Sequence, residues 1–368
     1  YPILQDLNEY QRFNHFPITW QISRKDNLYI NYKRMRDSFP NDYNYMPESY
    51  ILPKDKDSLL EKLKDYSYSP DNMWLIKPVA SSRGRGIKMM TNLDSLPTKG
   101  IISKYISRPS LINGKKFDLR LYVLVTGFSP LKMYLYDDGL ARFASEEYSL
   151  SEENITNTYI HLTNYSINKT SENFMKNDNV NNEEGSKWSL KALIAHYKNL
   201  GINFDETWEK IKDIMIKTYL SICDEGIPFV KKFELAPDNL FEIYGIDILL
   251  DNEMKPWLME VNLNPSLNCD SDLDLRIKSR VLTDIFNIIG ASPYSHDREN
   301  SPMDDDVDYQ SDEQEVIEKS ICEFFRPSGG FQRIFPYKNN FEKYKNFLKD
   351  PGDDNRWLWN YMKNNNID

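Results

Sequence analysis

The chain has 368 residues, 40% hydrophobic and 13% aromatic, enough to bury a sizeable core in two or three lobes. Its formal net charge is −10, but Asp304 to Glu318 alone carries eight acidic side chains and no basic one, so the overall charge speaks for neither nucleic acid nor an anionic membrane as partner. Three scattered cysteines (Cys223, Cys269, Cys322) argue against a disulfide framework and fit a reducing, intracellular setting; four histidines without ligand spacing argue against a zinc enzyme, and no apolar run approaches membrane-spanning length.

Residues 1–24 read as the tail of a lobe. Arg24-Lys25-Asp26 opens a helix ending near Phe39-Pro40; a short strand at Tyr50–Pro53 and a helix at Ser58–Tyr66 follow. Met73–Pro78 is an apolar strand that ends in Lys77. Behind it runs Ala80-Ser81-Ser82-Arg83-Gly84-Arg85-Gly86, and apolar character resumes at Ile87–Met90. A small basic loop of this kind can lay N–H groups and guanidinium charge over phosphates. It is neither a Walker A loop nor Gly-x-Gly-x-x-Gly. As an isolated motif it is more often an ordinary turn; the strand-ending Lys77 tilts the reading toward phosphate.

Ile101–Ile106 is a strand with Lys104 inside it. After Asn113-Gly114, the strand Lys116–Val125 alternates, with Lys116, Asp118 and Arg120 on one face and Phe117, Leu119 and Leu121 on the other. Such a face is either a solvated edge or the wall of a charged cleft. Asp137-Asp138-Gly139, between Leu131–Tyr136 and Leu140–Ala144, predicts a hairpin with Arg142 on its second strand. His161–Lys169 is polar, and residues 171–186 read as a loop. Helices are predicted at Ser189–Leu200 and Phe204–Cys223, the latter with Trp208, Ile211, Met215 and Tyr219 at helical spacing.

Phe241–Leu250 and Trp257–Leu263 read as two strands joined by Asp251-Asn252-Glu253 and Pro256. Folded symmetrically about that turn, Asp247 comes opposite Glu260, with Asn262 on the face of Glu260. Facing carboxylates repel unless a cation lies between them, and two carboxylates with an amide oxygen suit Mg²⁺. A chance acidic hairpin is the competing reading. Leu273–Ile289 is an amphipathic helix closed by Gly290. The acidic run reads as a solvated loop, and Ser328–Pro336 with two short helices closes the chain.

Five segments occur in an order that resembles the tubulin-tyrosine-ligase-like family over roughly residues 10–290. They are WLIKPVASSRGRGI (Trp74–Ile87), KFDLRLYVLV (Lys116–Val125), YLYDDGLARFA (Tyr134–Ala144), HLTNYSINK (His161–Lys169), and EIYGID followed by KPWLMEVNLNPSL within Glu242–Leu267. The chain is similar in particular to the tubulin polyglutamylase branch, through Ala80–Gly86, Glu260–Leu267 and GGFQRIFP (Gly329–Pro336). Many members carry Gln where Ser103 precedes Lys104 here.

The resemblance implies an α/β (α+β) ATP-grasp fold of antiparallel sheets flanked by helices, with the N-terminal lobe truncated relative to the family. The implied lobes are a remnant at 1–24, a central lobe at 25–110, a C-terminal lobe with the Mg/ATP site at 111–292, and an acidic linker and extension at 293–368. ATP and Mg²⁺ are the implied cofactors. The implied activity ligates free glutamate to the γ-carboxylate of Glu residues in tubulin C-terminal tails through an acyl-phosphate. A polyglycylase, or a catalytically silent microtubule-associated protein of the same fold, are the alternatives.

Carried over by motif position, Lys25, Lys77, Ser82, Arg83, Gly84, Gly86, Lys116 and Asp118 would hold ATP, with Lys104, Tyr105 and Ile106 as the adenine-side linker. Asp247, Glu260 and Asn262 would hold Mg²⁺. Arg120, Arg142 and Glu260 would serve catalysis, the arginines also gripping the acceptor carboxylate. Thr163, Asn164 and Lys169 would complete the amino-acid pocket. Expected partners are tubulin tails, microtubules and free glutamate, not nucleic acid or membrane, for a monomer in the cytoplasm and cytoskeleton, with cilium axoneme or basal body by analogy. Because tubulin tails are acidic, the cleft is expected to be locally positive despite the net charge.

Overall fold

The computed structural model describes residues 4, 7–8, 11–64, 66–67, 69–79, 81, 84–177, 184–233, 235, 238–291 and 313–367. Ser82 and Arg83, and the acidic residues 304–312, lie outside them. The described part begins with α1 (Trp20–Ser23) and α2 (Lys25–Ser38), and Lys25 opens α2 as the sequence predicts. Strands β1 (Ser49–Leu52), β2 (Trp74–Lys77), β3 (Lys88–Met89) and β4 (Gly100–Lys104) form an antiparallel sheet in the order β1-β4-β2-β3. With α3 (Lys56–Lys62) they enclose a small core of Leu52, Leu59, Leu63, Trp74, Met90 and Ile102.

The larger sheet contains β5 (Leu111–Ile112), β6 (Lys115–Phe128), β7 (Leu131–Phe143), β8 (Lys187–Ser189), β9 (Glu242–Leu250), β10 (Pro256–Leu263) and β11 (Phe331–Phe335). Its path is β10-β9-β6-β7-β11, with β5 on β6 and β8 on β7, all antiparallel. The helices α4 (Thr158–His161), α5 (Tyr165–Asn168), α6 (Leu190–Asn199), α7 (Asp205–Lys231), α8 (Asp272–Ile289), α9 (Glu313–Phe324), α10 (Phe341–Tyr344) and α11 (Asp353–Asn365) complete the described chain. This is the mixed helix and antiparallel-sheet architecture expected of an ATP-grasp chain.

Alternation along β6 sorts the two faces of the large sheet. Leu119, Leu121 and Val123 join Ile211, Met215 and Tyr219 of α7 in the main core. On the other face Tyr122 and Leu124 lie with Leu273, Ile277 and Val281 of α8. Lys116, Asp118 and Arg120 belong to that second face. They come before the stretch that α8 covers, so the apolar half is roofed and the charged half is left for a cleft.

Four expectations need correction. Asp137-Asp138-Gly139 is not a hairpin turn: β7 runs through it without a break. Leu121 pairs with Gly139 and Val123 with Leu135, so the three residues between bulge outward. Gly and Asp mark turns and bulges alike, and here β7 changes outer partner across the bulge, from β11 to β8. The strand β8 departs from the sequence reading: Lys187 and Trp188 lie between the loop read at 171–186 and the helix read from Ser189, and Ser189 itself ends the strand and caps α6. Helix α7 continues past Cys223 to Lys231, with Pro228 in its last turn. Glu313, Glu315 and Glu318, read as part of a solvated loop, lie on α9.

Candidate active site

Cross-strand register brings the charged residues together. Arg120 of β6 is opposite Asp247 of β9, and Asp247 is opposite Glu260 of β10. One pleat away, Asp118 of β6 is opposite Arg142 of β7, and Arg142 is opposite Lys187 of β8. Residues directly opposite project to the same side, so five strands contribute to one charged surface. The Asp247–Glu260 pairing expected from a symmetric turn is reached through a bulge. Trp257 and Leu258 pair with Leu249 and Ile248, Glu260 pairs with Asp247, and Met259 is the extra residue. Consequently both Met259 and Glu260 line the cleft.

Asp247 sits between two guanidiniums. Arg120 donates from Nε to Oδ1 at 2.5 Å and from Nη2 to Oδ2 at 3.2 Å, and Arg142 Nη2 lies 2.9 Å from Oδ2. Arg142 also grips Asp118, with Nε to Oδ1 at 2.8 Å and Nη2 to Oδ2 at 2.5 Å. Burial alone would raise the Asp247 carboxyl, but the charges of Arg120 and Arg142 outweigh it and hold the group well below the usual carboxylate range. Bidentate pairs fix guanidinium planes, so the arginines are oriented before any substrate arrives.

Three lysines face this surface. Lys25 at the start of α2 places Nζ 2.9 Å from Glu260 Oε2 and 3.0 Å from the Ser81 carbonyl. Lys77 ends β2; burial pushes its ammonium down to about 8, Lys25 adding to the effect and Glu260 opposing it. Lys116 starts the charged face of β6; burial brings it down to about 7, with Asp118 opposing and Lys77 contributing. Lys116 Nζ donates to the Tyr105 hydroxyl at 3.1 Å and to the His161 carbonyl at 2.9 Å. The Tyr105 hydroxyl lies 3.0 Å from His161 Nδ1, and His161 Nε2 lies 3.2 Å from the Asn154 carbonyl. Burial and the Lys116 charge push His161 down to about 4. The ring is therefore neutral, with its proton on Nε2 toward Asn154 and Nδ1 accepting from Tyr105.

Gly84 and Gly86 have φ of +74° and +75°, a region that favours glycine. A Cβ on Gly84 would come 2.6 Å from Asn164 Oδ1. The basic loop thus rests against Asn164, and a side chain there would push it off.

Lys25, Lys77, Lys116, Asp118, Thr163, Asn164, Asp247 and Glu260 line one cleft with Leu75, Ile87, Leu162, Leu249 and Met259. The apolar group offers a slot for a flat base, and the lysines form a phosphate-compatible wall. Other candidates are placed differently. The Lys104 N–H bonds the Glu48 carbonyl and the Tyr105 N–H bonds the Met73 carbonyl, both at 2.8 Å, so both donors are taken up within the fold. Ile106 is half-buried just beyond β4, and Lys169 is exposed at the end of α5, its Nζ 5.7 Å from the Tyr165 ring centre. Asn262 lies opposite Gly245 and donates Nδ2 to its carbonyl at 3.1 Å.

The donor set fits a magnesium ion in kind. Asp247 and Glu260 are carboxylates, and the Asn262 amide, whose nitrogen is committed to Gly245, has its oxygen left to offer. Each carboxylate oxygen has about two acceptor directions; Asp247 Oδ2 already meets both Arg120 and Arg142, while Asp247 Oδ1 meets Arg120 once and Glu260 meets Lys25 through Oε2, so neither carboxylate is exhausted. Among the described residues no group of three or more His, Cys, Asp and Glu side chains is gathered for a metal.

Sequence reasoning missed Lys187, Asp274, Lys278 and Tyr165. Lys187 Nζ is 2.7 Å from Asp274 Oδ2 and 4.0 Å from the Tyr165 ring centre, and Lys278 Nζ is 2.8 Å from Asp274 Oδ1. A three-residue strand shows no period, so nothing local marks Lys187 as the neighbour of Arg142. Asp274 and Lys278 carried only the i, i+4 spacing of a surface pair.

A family model described as the tubulin-tyrosine ligase family matches residues 4–300. Tubulin monoglutamylase TTLL4 of Mus musculus is 41% identical over 292 residues, covering 78% of this chain and 24% of the relative. Tubulin polyglutamylase TTLL5 of Mus musculus is 42% identical over 293 residues, covering 78% and 22%. Tubulin polyglutamylase ttll-4 of Caenorhabditis elegans is 39% identical over 286 residues, covering 77% and 46%. The chain thus spans about a quarter of the length of the mouse relatives and under half of the nematode one.

Proposed function

The chain belongs to the tubulin-tyrosine ligase family, and we propose that it is an ATP- and Mg²⁺-dependent ligase that adds free glutamate to the γ-carboxylate of Glu residues in tubulin C-terminal tails. The observation that carries this reading is the cleft in which Lys25, Lys77, Lys116 and Asp118 meet Asp247 and Glu260, with Arg120 and Arg142 behind them. The named activities of the mono- and polyglutamylase relatives support the choice of reaction.

A carboxylate is a poor electrophile; bound ATP with Mg²⁺ supplies the phosphoryl group that turns it into an acyl-phosphate with a good leaving group. What the chain contributes is position and charge, with no nucleophile of its own. Asp247, Glu260 and Asn262 would hold the metal. Lys77 and Lys116 would face the phosphates, and the Gly84–Gly86 loop would close over them. Arg120 and Arg142, already oriented by Asp247 and Asp118, would steady the acceptor carboxylate and the oxyanion that forms when the amine attacks. We place the activity on microtubules of the cytoplasm and cytoskeleton, with axoneme and basal body as the sites to examine by immunolocalisation.

The test is mass spectrometry of tubulin tails after incubation with the full chain, ATP, Mg²⁺ and either glutamate or glycine. Glutamate mass increments on tail peptides, lost in Glu260→Gln, are the expected result. Glycine increments alone, or equal modification by wild type and Glu260→Gln, would overturn it.

A further inference from the structure

We propose that Lys187, Lys278 and Asp274 form the subsite that recognises the side-chain carboxylate of the incoming amino acid; this rests on the ligase reading above. Lys187 lies directly across from Arg142, one strand further from Asp247. It therefore continues the surface of the proposed reaction arginines, at a strand spacing of roughly 5 Å, comparable to the reach of a short acidic side chain.

The charges there do not cancel. Lys187, Lys278 and Asp274 are 8%, 6% and 0% exposed. Two ammoniums share the one buried carboxylate, at 2.7 and 2.8 Å. Asp274 lies in the first turn of the 18-residue helix α8, its N–H capped by Ser271 Oγ at 3.2 Å, so the helix end adds positive potential to the same spot. Asp270 acts on Lys187 only from the exposed loop. A buried cation in excess is costly without an anion to meet it.

The lysines are also held differently. Lys278 Nζ has a second acceptor, the Asn268 carbonyl at 2.5 Å. Lys187 has Asp274 and the face of Tyr165, which leaves it donor capacity for a substrate oxygen. The chain links the two places: Tyr165, whose ring Lys187 faces, directly follows Asn164, which lines the cleft. Glycine has no side-chain carboxylate to place here, and the subsite would separate glutamate from glycine by charge.

The experiment measures glutamate and glycine binding to the full chain by calorimetry, with Mg²⁺ and a non-hydrolysable ATP analogue present. Wild type is expected to bind glutamate in preference to glycine. Lys187→Met and Lys278→Met should weaken glutamate at least ten-fold while changing nucleotide affinity less than two-fold, and Lys187→Arg should recover part of the loss. Unchanged glutamate affinity in both Met variants, or equal wild-type binding of glycine, overturns the subsite. A wild type that modifies tails with glutamate, and a Lys187→Met variant with an unaltered KM for glutamate, overturn the subsite alone. A wild type that modifies nothing overturns the ligase reading and the subsite with it.

Discussion

Lys116 and Lys77 connect burial to pH. Their ammoniums lie at about 7 and about 8 in the free chain, while lysine is ordinarily near 10.4. Well below pH 7 both are charged and attract a polyanion fully. As pH rises through 7 and 8 the free protein loses those protons, whereas bound phosphates would hold them on. Nucleotide binding is then expected to take up protons and to weaken with rising pH, which calorimetry in buffers of different ionisation enthalpy will show. Lys116→Met should remove the lower step; an affinity flat from pH 6.5 to 9 would refute the assignment. Glu260→Gln removes a proposed metal ligand and the partner of Lys25 and should cost on the order of 10²-fold or more in ligation, with the melting temperature little changed. The identities of Lys77, Asp118, Asp247 and Glu260 as candidates were legible because each sits at a strand end or on an alternating face. Lys187 was not, because its role depends on which strand lies beside it.

Loops and strands show where local pattern succeeds and where it misleads. The two loop glycines could be read from composition, and the positive φ at both agrees with that reading. Gly84→Ala should raise the KM for ATP several-fold. Its cost is the left-handed conformation, roughly 1–2 kcal/mol, plus the contact with Asn164. Since the loop belongs to no strand, the melting temperature should move by only a few degrees, and a nucleotide KM equal to wild type would sink the proposed role. By contrast Gly139 looked like a hairpin glycine and is a bulge glycine. A Cβ there would lie 2.5 Å from the Arg120 carbonyl. Gly139→Ala is therefore expected to reduce both melting temperature and ligation, because the strand it pushes carries Arg120. In β10 the pairing of Glu260 with Asp247 was anticipated from the turn, but the bulge at Met259 that produces it leaves no mark in the hydrophobic pattern.

Across the whole molecule the C-terminal extension is part of the larger sheet, which carries the proposed site. β11 pairs with β7, and Glu323 of α9 accepts from Thr126, Lys132 and Tyr134, each at 2.6 Å, inside the fold. Glu323→Ala strands a buried Lys132 and should destabilise the chain by about 3–5 kcal/mol, read as a fall in the denaturation midpoint. Removing residues 301–368 should leave an insoluble or markedly less stable protein even though the family match ends at residue 300; a truncated chain with an unchanged melting temperature would show the extension to be dispensable. The sequence by itself determined which residues alternate on each strand, where glycine is required, and the family. These depend on local geometry and on motifs contiguous in the chain. Only the tertiary structure decided that β8 carries Lys187 to Arg142, that α8 roofs half of the β6 face, and that β11 closes the sheet. Each of those pairs segments distant in sequence, and their register is set by packing that no single segment contains.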